Sequence, residues 1–350
     1  MTTSYHHGML RRTVWCAFIL FMASVLASAA TPHGQVIHVT VHSAALENNG
    51  VADSPNREVS IYLPPDYDAA PERYPVLYLL HGYTATDRGW MNPEYVGIAE
   101  MMDCLIQNHA IRPMVVVMPS AFNRFGGSFY ANSVLSGNWE DFIADDLVTY
   151  IDVHYRTIAD ADARGIAGHS MGGYGALRIG MHHPDVFSAA YGMSPCCAVW
   201  DASEFRDDVV KAQQTKTLQQ IVDAGMGPQG ALAFAAAFSP DLQNPPFEVD
   251  WPFNAKGQPV QATVERWKSN MLEAIAAAYA TSSPRLHALG FDGGRQDELL
   301  PSEKQLDQQM TKLRLAHTYW EYEGTHNNHI RERMEQVVLP FMSKALGGSS

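Results

Sequence analysis

The sequence predicts an α/β protein: a mostly parallel central sheet with helices on both faces and a helical cap inserted late in the chain. Three observations carry this. Short, continuous apolar runs recur at 74–80, 114–118 and 187–193, as strands buried on both faces require. Stretches with helical spacing of apolar residues lie between them, so strand and helix alternate. A further run, 165–168, ends in a glycine–serine turn that leads straight into a helix-compatible segment.

The elements follow in order. Residues 35–41 alternate apolar and polar, the pattern of a half-buried edge strand, and 59–63 repeats it until Pro64-Pro65. These two open the sheet antiparallel. The buried strand 74–80 ends at His81-Gly82-Tyr83. A helix over 94–109 carries Val96, Met101 and Leu105 on one stripe, and the strand 114–118 stops at Pro119. Residues 122–138 form a long loop rich in glycine, serine and aromatics, at a strand end where loops commonly wall sites. The helix over 139–155 has the stripe Phe142, Leu147, Ile151 and Tyr155. Its acids Glu140, Asp141, Asp145 and Asp146 stand near the start, where the helix dipole favours them, and read as structural. The first part of the core thus runs over 31–197. Residues 198–284 interrupt the alternation. They carry helical patterns at 207–224 and 232–238, a proline-rich loop, and one helix marked by Val264, Trp267, Met271 and Ile275. Lying between two core strands, this insertion should cover the site. Residues 285–350 complete the core with strands 286–291 and 317–322 and helices 302–313 and 329–346.

Bulk properties narrow the class. The chain has 350 residues, 46% hydrophobic and 17% charged, enough for a large core. A net charge of −13 argues against nucleic acid and anionic membrane surfaces as partners. Arg11 and Arg12, the apolar run 14–26 and Ala27-Ser28-Ala29 read as a cleavable export signal over 1–30. The run is shorter than the ~20 residues of a membrane span, so no stable membrane anchor is expected and the mature chain should be periplasmic or secreted. Cys16 leaves with the signal. Cys104 reads as a buried core thiol on a helix; Cys196 and Cys197 are adjacent and could close only a strained ring, a poor structural bridge. A bridge from Cys104 to that pair stays open. No spaced Cys/His cluster supports a metal, and no cofactor is called for.

The glycine–serine turn is Gly168-His169-Ser170-Met171-Gly172, the G-x-S-x-G of a nucleophile elbow. A serine hydroxyl needs a base within hydrogen-bond reach and an acid to orient that base. On this architecture they follow in the order Ser, acid, His. The loop after 286–291 offers Asp297 as the acid, ahead of Asp292 and Glu298. The loop after 317–322 offers His326 as the base, ahead of His329. The oxyanion donors should be the backbone N–H groups of Met171, directly after the nucleophile, and Tyr83. The aromatics Phe122, Phe125, Phe129 and Tyr130, with Trp139 and the cap, either hold the acyl or aryl group of a substrate or simply pack; Phe129, Tyr130 and Trp139 are the substrate-binding candidates.

The run Gly168-His169-Ser170-Met171-Gly172-Gly173-Tyr174-Gly175-Ala176, with His81-Gly82-Tyr83, Trp90, Trp139-Glu140 and Glu323-Gly324-Thr325-His326, resembles the putative esterase family of α/β-hydrolases. That family includes S-formylglutathione hydrolases, feruloyl and acetylxylan esterases, enterochelin esterases and mycolyltransferases. The resemblance covers about 59–195 and 285–346. It implies an α/β-hydrolase fold, Ser170, Asp297 and His326 as a triad, and Tyr83 and Met171 as oxyanion donors. Three features depart from the family pattern: a longer insertion, an export signal unlike the cytoplasmic members, and Gly324-Thr325-His326 in place of Gly-Gly-His. The expected function is an exported serine carboxylic-ester hydrolase acting on a small-molecule or polysaccharide-linked ester such as a feruloyl or acetyl ester. The competing readings are an acyltransferase to a sugar and a non-catalytic carbohydrate-binding protein.

Overall fold

Eight strands form one sheet in the order β1-β2-β4-β3-β7-β8-β9-β10 in a computed structural model that describes residues 33–69 and 71–347. The strands are β1 (Gln35–His42), β2 (Asn56–Leu63), β3 (Val76–Leu80), β4 (Val115–Pro119), β7 (Arg164–His169), β8 (Ala189–Met193), β9 (Ala288–Gly294) and β10 (Thr318–Tyr322). The pairings β1–β2 and β2–β4 are antiparallel and all others parallel. A two-stranded hairpin, β5 (Asn132–Ser133) with β6 (Gly137–Asn138), stands apart inside the long loop. The expected export signal, 1–30, lies outside the described residues.

The apolar runs read as they do because both faces of the sheet are covered. Along β3, Val76, Tyr78 and Leu80 enter one hydrophobic cluster, while Leu77 and Leu79 enter the other. Val115 and Val117 against Val116 and Met118 repeat the division on β4. Helices α1 (Ile98–Gln107) and α12 (Leu339–Ala345) cover one face. On the other face lie α2 (Trp139–Asp141) and α3 (Val148–His154), joined by the π-helical stretch Phe142–Leu147, and α4 (Met171–His182).

The region 198–284 folds as five helices: α5 (Ala202–Gln213), α6 (Leu218–Ala224), α7 (Met226–Phe238), α8 (Gln261–Ser269) and α9 (Leu272–Tyr279). Their own aromatic cluster, with Phe205, Phe234, Phe238 and Trp267 in ring contact, fills the centre. Two expected helices are each broken. The 207–224 pattern divides at Thr217, whose hydroxyl caps α6 by accepting from the Gln220 N–H. The helix expected to join Val264 to Ile275 stops at Asn270. The Asn270 carbonyl accepts the Tyr174 hydroxyl at 2.7 Å and its side-chain oxygen accepts from Arg178 at 2.9 Å. Both donors stand on α4, so tertiary hydrogen bonds override the local pattern. The remaining helices are α10 (Leu300–Lys312), before β10, and α11 (Ile330–Arg333), which runs through a π-helical stretch, Met334–Val338, into α12.

Cys104 is exposed, which corrects its reading as a core thiol. On α1 the buried residues are Ile98, Met101, Met102, Asp103 and Leu105, and Cys104 is left outside them. All three described cysteines are free, so no bridge joins Cys104 to the pair.

Candidate active site

The central strand β7 is buried along its whole length and ends at a turn that only glycines permit. A Cβ on Gly168 would stand 2.4 Å from backbone atoms of Gly172, and one on Gly172 would stand 2.1 Å from the Leu80 carbonyl oxygen. Ser170 takes up the strain with φ 57° and ψ −118°, outside the ordinary regions for a side-chain-bearing residue. Its N–H donates to the Met193 carbonyl at 2.9 Å and its carbonyl accepts the Tyr174 N–H at 2.9 Å, so the turn is pinned on both sides. The helix α4 starts at the next residue, with the orphan N–H of Met171 at its open end.

Two loops from the far half of the chain converge on that hydroxyl. His326 Nε2 lies 2.8 Å from Ser170 Oγ, and His326 Nδ1 lies 2.8 Å from Asp297 Oδ2. The carboxylate fixes the proton on Nδ1, which leaves Nε2 free to accept from the hydroxyl. Asp297 is buried; its other oxygen accepts the Leu299 N–H at 3.0 Å. Burial alone would push its carboxyl up. The hydrogen bonds from His326, the Leu299 N–H and Ser194 outweigh that and hold it below the usual carboxylate range. Asp292 lies within β9 instead. It accepts the Ser194 N–H and the Tyr191 hydroxyl and pairs with Arg333 at 2.6 Å. His329 begins α11.

The two expected oxyanion donors flank the serine. Among the described residues, the N–H groups of Tyr83 and Met171 have no other acceptor. The loop after β3 is held by His81, which accepts the Ala121 N–H on Nε2 at 2.8 Å and donates from Nδ1 to the Gly82 carbonyl. Burial pushes His81 down to about 4, so the ring stays neutral and this pattern is kept.

Sequence reasoning missed several supports. The geometry of the turn already implies that His169 points away from Ser170, but not its partners: its Nε2 donates to the backbone carbonyl of His326 at 2.9 Å while Tyr95 sits on Nδ1 at 3.3 Å. Burial and the neighbouring His326 ring push it down to about 3. Period-two alternation on β7 tells that its side chain faces opposite to its neighbour, but not that the loop of His326 arrives there. Behind Asp297, Ser194 Oγ contacts the Tyr322 hydroxyl, which also accepts from Arg333. No local signal marks these partners.

The serine opens into a cavity of about 460 Å³, walled by Tyr83, Trp90, Tyr95, Asn327 and, from the cap, Met226. Phe129, Tyr130 and Trp139 do not reach it. All three are buried: Phe129 stacks on Phe234 with ring centroids 4.1 Å apart, the Tyr130 hydroxyl donates to the His81 carbonyl, and the Trp139 indole donates to the Ser136 carbonyl. They are packing residues, since tertiary contacts on every side leave no face for a ligand. A second cavity of about 350 Å³ shares Thr84 with the first and is lined by Phe122, Phe125, Leu218, Ile221, Val222 and Leu232. On α7, Met226 faces the first cavity and Gln229 and Leu232 the second. Among the described residues no group of three or more His, Cys, Asp or Glu side chains is placed to hold a metal ion.

A family model described as "Putative esterase" matches residues 54–330. Esterase Rv1288 of Mycobacterium tuberculosis is 35% identical over 139 residues, 39% of this chain and 28% of that protein. An endo-1,4-beta-xylanase/feruloyl esterase of Xylanibacter ruminicola is 34% identical over 164 residues, 44% of this chain and 21% of that protein. The chain therefore spans less than a third of the length of either relative. A solved structure of a ferulic acid esterase superposes with a TM-score of 0.62 at 23% identity, over 90% of this chain and 100% of that one, a likeness of fold.

Proposed function

Because the chain belongs to the putative esterase family, we propose that it is an exported serine carboxylic-ester hydrolase that works through Ser170, His326 and Asp297. The observation that carries the reading is the unbroken chain of contacts from Ser170 Oγ through the imidazole to Asp297, at 2.8 Å and 2.8 Å. Ser170 Oγ attacks the ester carbonyl while Nε2 takes its proton. Asp297 stabilises the imidazolium that forms. The N–H groups of Tyr83 and Met171 receive the negative oxygen of the tetrahedral intermediate. As the intermediate collapses, Nε2 returns the proton to the departing alkoxide and an acyl-enzyme remains. Water, deprotonated by the same nitrogen, releases the acid.

The substrate is a small-molecule or polysaccharide-linked ester, with feruloyl and acetyl esters of polysaccharides as the leading class. The feruloyl esterase relative and the ferulic acid esterase neighbour support this. So does the apolar second cavity, wide enough for an aryl or acyl group and roofed by the same helix as the serine's own cavity. The mature chain works in the periplasm or outside the cell, a reading that rests on residues 1–30 of the sequence.

The test is hydrolysis of p-nitrophenyl acetate, p-nitrophenyl butyrate and methyl ferulate by the wild type and Ser170→Ala. The substitution is expected to lower turnover by at least ~10³-fold. Equal rates for the two proteins would remove Ser170 from the chemistry. With a sugar acceptor added, the product stays the free acid; acyl sugar in its place would make the protein a transferase.

A further inference from the structure

The turn after β8, residues 194–198, touches both halves of the site and the cap. The Ser194 N–H donates to the Asp292 carbonyl, the Cys196 N–H reaches the Ser170 carbonyl at 3.4 Å, and the Leu272 N–H at the start of α9 donates to the Cys197 carbonyl at 3.0 Å. Ser194 and Cys197 both take positive φ, 41° and 57°. Within this strained turn the two cysteine side chains lie on the same side, with their sulfurs 2.9 Å apart. Cys196 is half-buried and reachable; Cys197 is 3% exposed.

We propose that Cys196 and Cys197 are a reversible redox site, closed to a vicinal disulfide by exchange with a small-molecule disulfide, and that closure lowers turnover at Ser170. The oxidation stands by itself, and its effect on turnover rests on the ester-hydrolase reading. Cys196, having released its proton to solvent, attacks one sulfur of the external disulfide R–S–S–R. That bond breaks and one thiol, RSH, leaves with a proton. Cys197 then loses its proton, its sulfur attacks the Cys196 sulfur, and the second RSH departs. Two protein thiols are oxidised and one external disulfide is reduced to two thiols, so the exchange balances. Burial pushes the Cys197 thiol up, which makes Cys196 the attacking sulfur and Cys197 the closing one. A ring through a single peptide bond is strained, and strained disulfides are the easily reduced ones, so the bond serves as a switch where it would fail as a staple. Closing it re-shapes the turn that holds the Ser170 carbonyl on one side and α9 on the other.

The full chain is incubated with oxidised glutathione, quenched in acid, alkylated with iodoacetamide and read by peptide mass spectrometry. The peptide carrying Cys196 and Cys197 is expected to stay unalkylated and without bound glutathione, while Cys104 is alkylated; dithiothreitol restores alkylation at the pair. Alkylation of both sulfurs, or a glutathione left on Cys196, would overturn the site. In parallel, p-nitrophenyl acetate turnover falls several-fold on oxidation and recovers with dithiothreitol. The Cys104→Ser protein keeps this response and Cys196→Ser loses it. Closure seen by mass with an unchanged rate would overturn the effect on turnover. A protein inactive before oxidation would instead count against the ester-hydrolase reading, with the mass result still deciding the site.

Discussion

Asp297 and Glu140 are both buried carboxylates bonded to histidine, and of these two only Asp297 leads to a nucleophile. Asp297 binds one imidazole nitrogen of His326, and the other nitrogen points at Ser170 across an open cavity. Glu140 binds His182 at 2.7 Å and His183 at 3.0 Å, both on one oxygen, and Arg178 at 2.7 Å on the other. Burial alone would raise Glu140; the two histidines and the guanidinium together hold it far below the usual range. The second cluster places two histidines and a guanidinium on one carboxylate, and among the described residues no hydroxyl is hydrogen-bonded to the far nitrogen of either histidine. An acid–histidine pair becomes machinery only when a strained turn delivers a third group to the free nitrogen. The Glu140 cluster instead ties α2 to the helix behind the nucleophile.

Three substitutions test this contrast. Asp297→Asn keeps the shape and removes the charge that fixes the His326 proton on Nδ1; kcat on p-nitrophenyl acetate should fall about 10⁴-fold with the fold intact by circular dichroism. A loss under tenfold would make the two clusters equivalent in kind. Glu140→Gln leaves the Arg178 guanidinium buried without its partner. Denaturant unfolding should show a loss of about 3–5 kcal/mol, while kcat/KM of the folded protein stays within a few-fold of wild type. A collapse of kcat with stability unchanged would place Glu140 in the chemistry.

The third substitution is at Glu303, on α10, whose carboxyl is fully buried near Asp297 with no hydrogen-bond partner among the described residues. Burial, and then the charges of Asp297 and Asp292, push it up to about 9. The folded state therefore keeps a proton that the unfolded chain releases near its ordinary value of about 4.5. Stability is highest below that value and declines as pH rises towards about 9, where the decline ends. Glu303→Gln cannot titrate, so thermal midpoints measured from pH 5 to pH 9 should decline less steeply than in wild type. Parallel profiles would show that Glu303 ionises in the folded protein as it does in water.

Much of this was legible in the chain. The elbow is written locally, in glycines whose Cβ atoms would meet backbone, and the acid and base follow in a fixed order at strand ends, where only a few residues compete. Asp292 and Asp297 are separable because a residue inside β9 is spent on its neighbours Ser194, Tyr191 and Arg333. What was not legible depends on contacts between distant segments. Glu140 reads as an ordinary helix-start acid until Arg178 and two histidines arrive from α4 and the residue after it. Phe129 looks like a site wall because its partner, Phe234, is more than a hundred positions away. Cys104 was misplaced because helical spacing sets it beside the stripe, and which flank of the stripe is covered is decided by tertiary packing that buries Asp103 instead.

The break at Asn270 has one more consequence. Two side chains of α4, Tyr174 and Arg178, grip that bend, so this end of the insertion is riveted to the same rod that carries the reacting hydroxyl. A hatch fastened to its own threshold cannot swing as one piece. The opposite end, where α6 meets α7, presents Met226 to the serine's cavity and Val222 to its neighbour, both exposed and without such an anchor among the hydrogen bonds of the described residues.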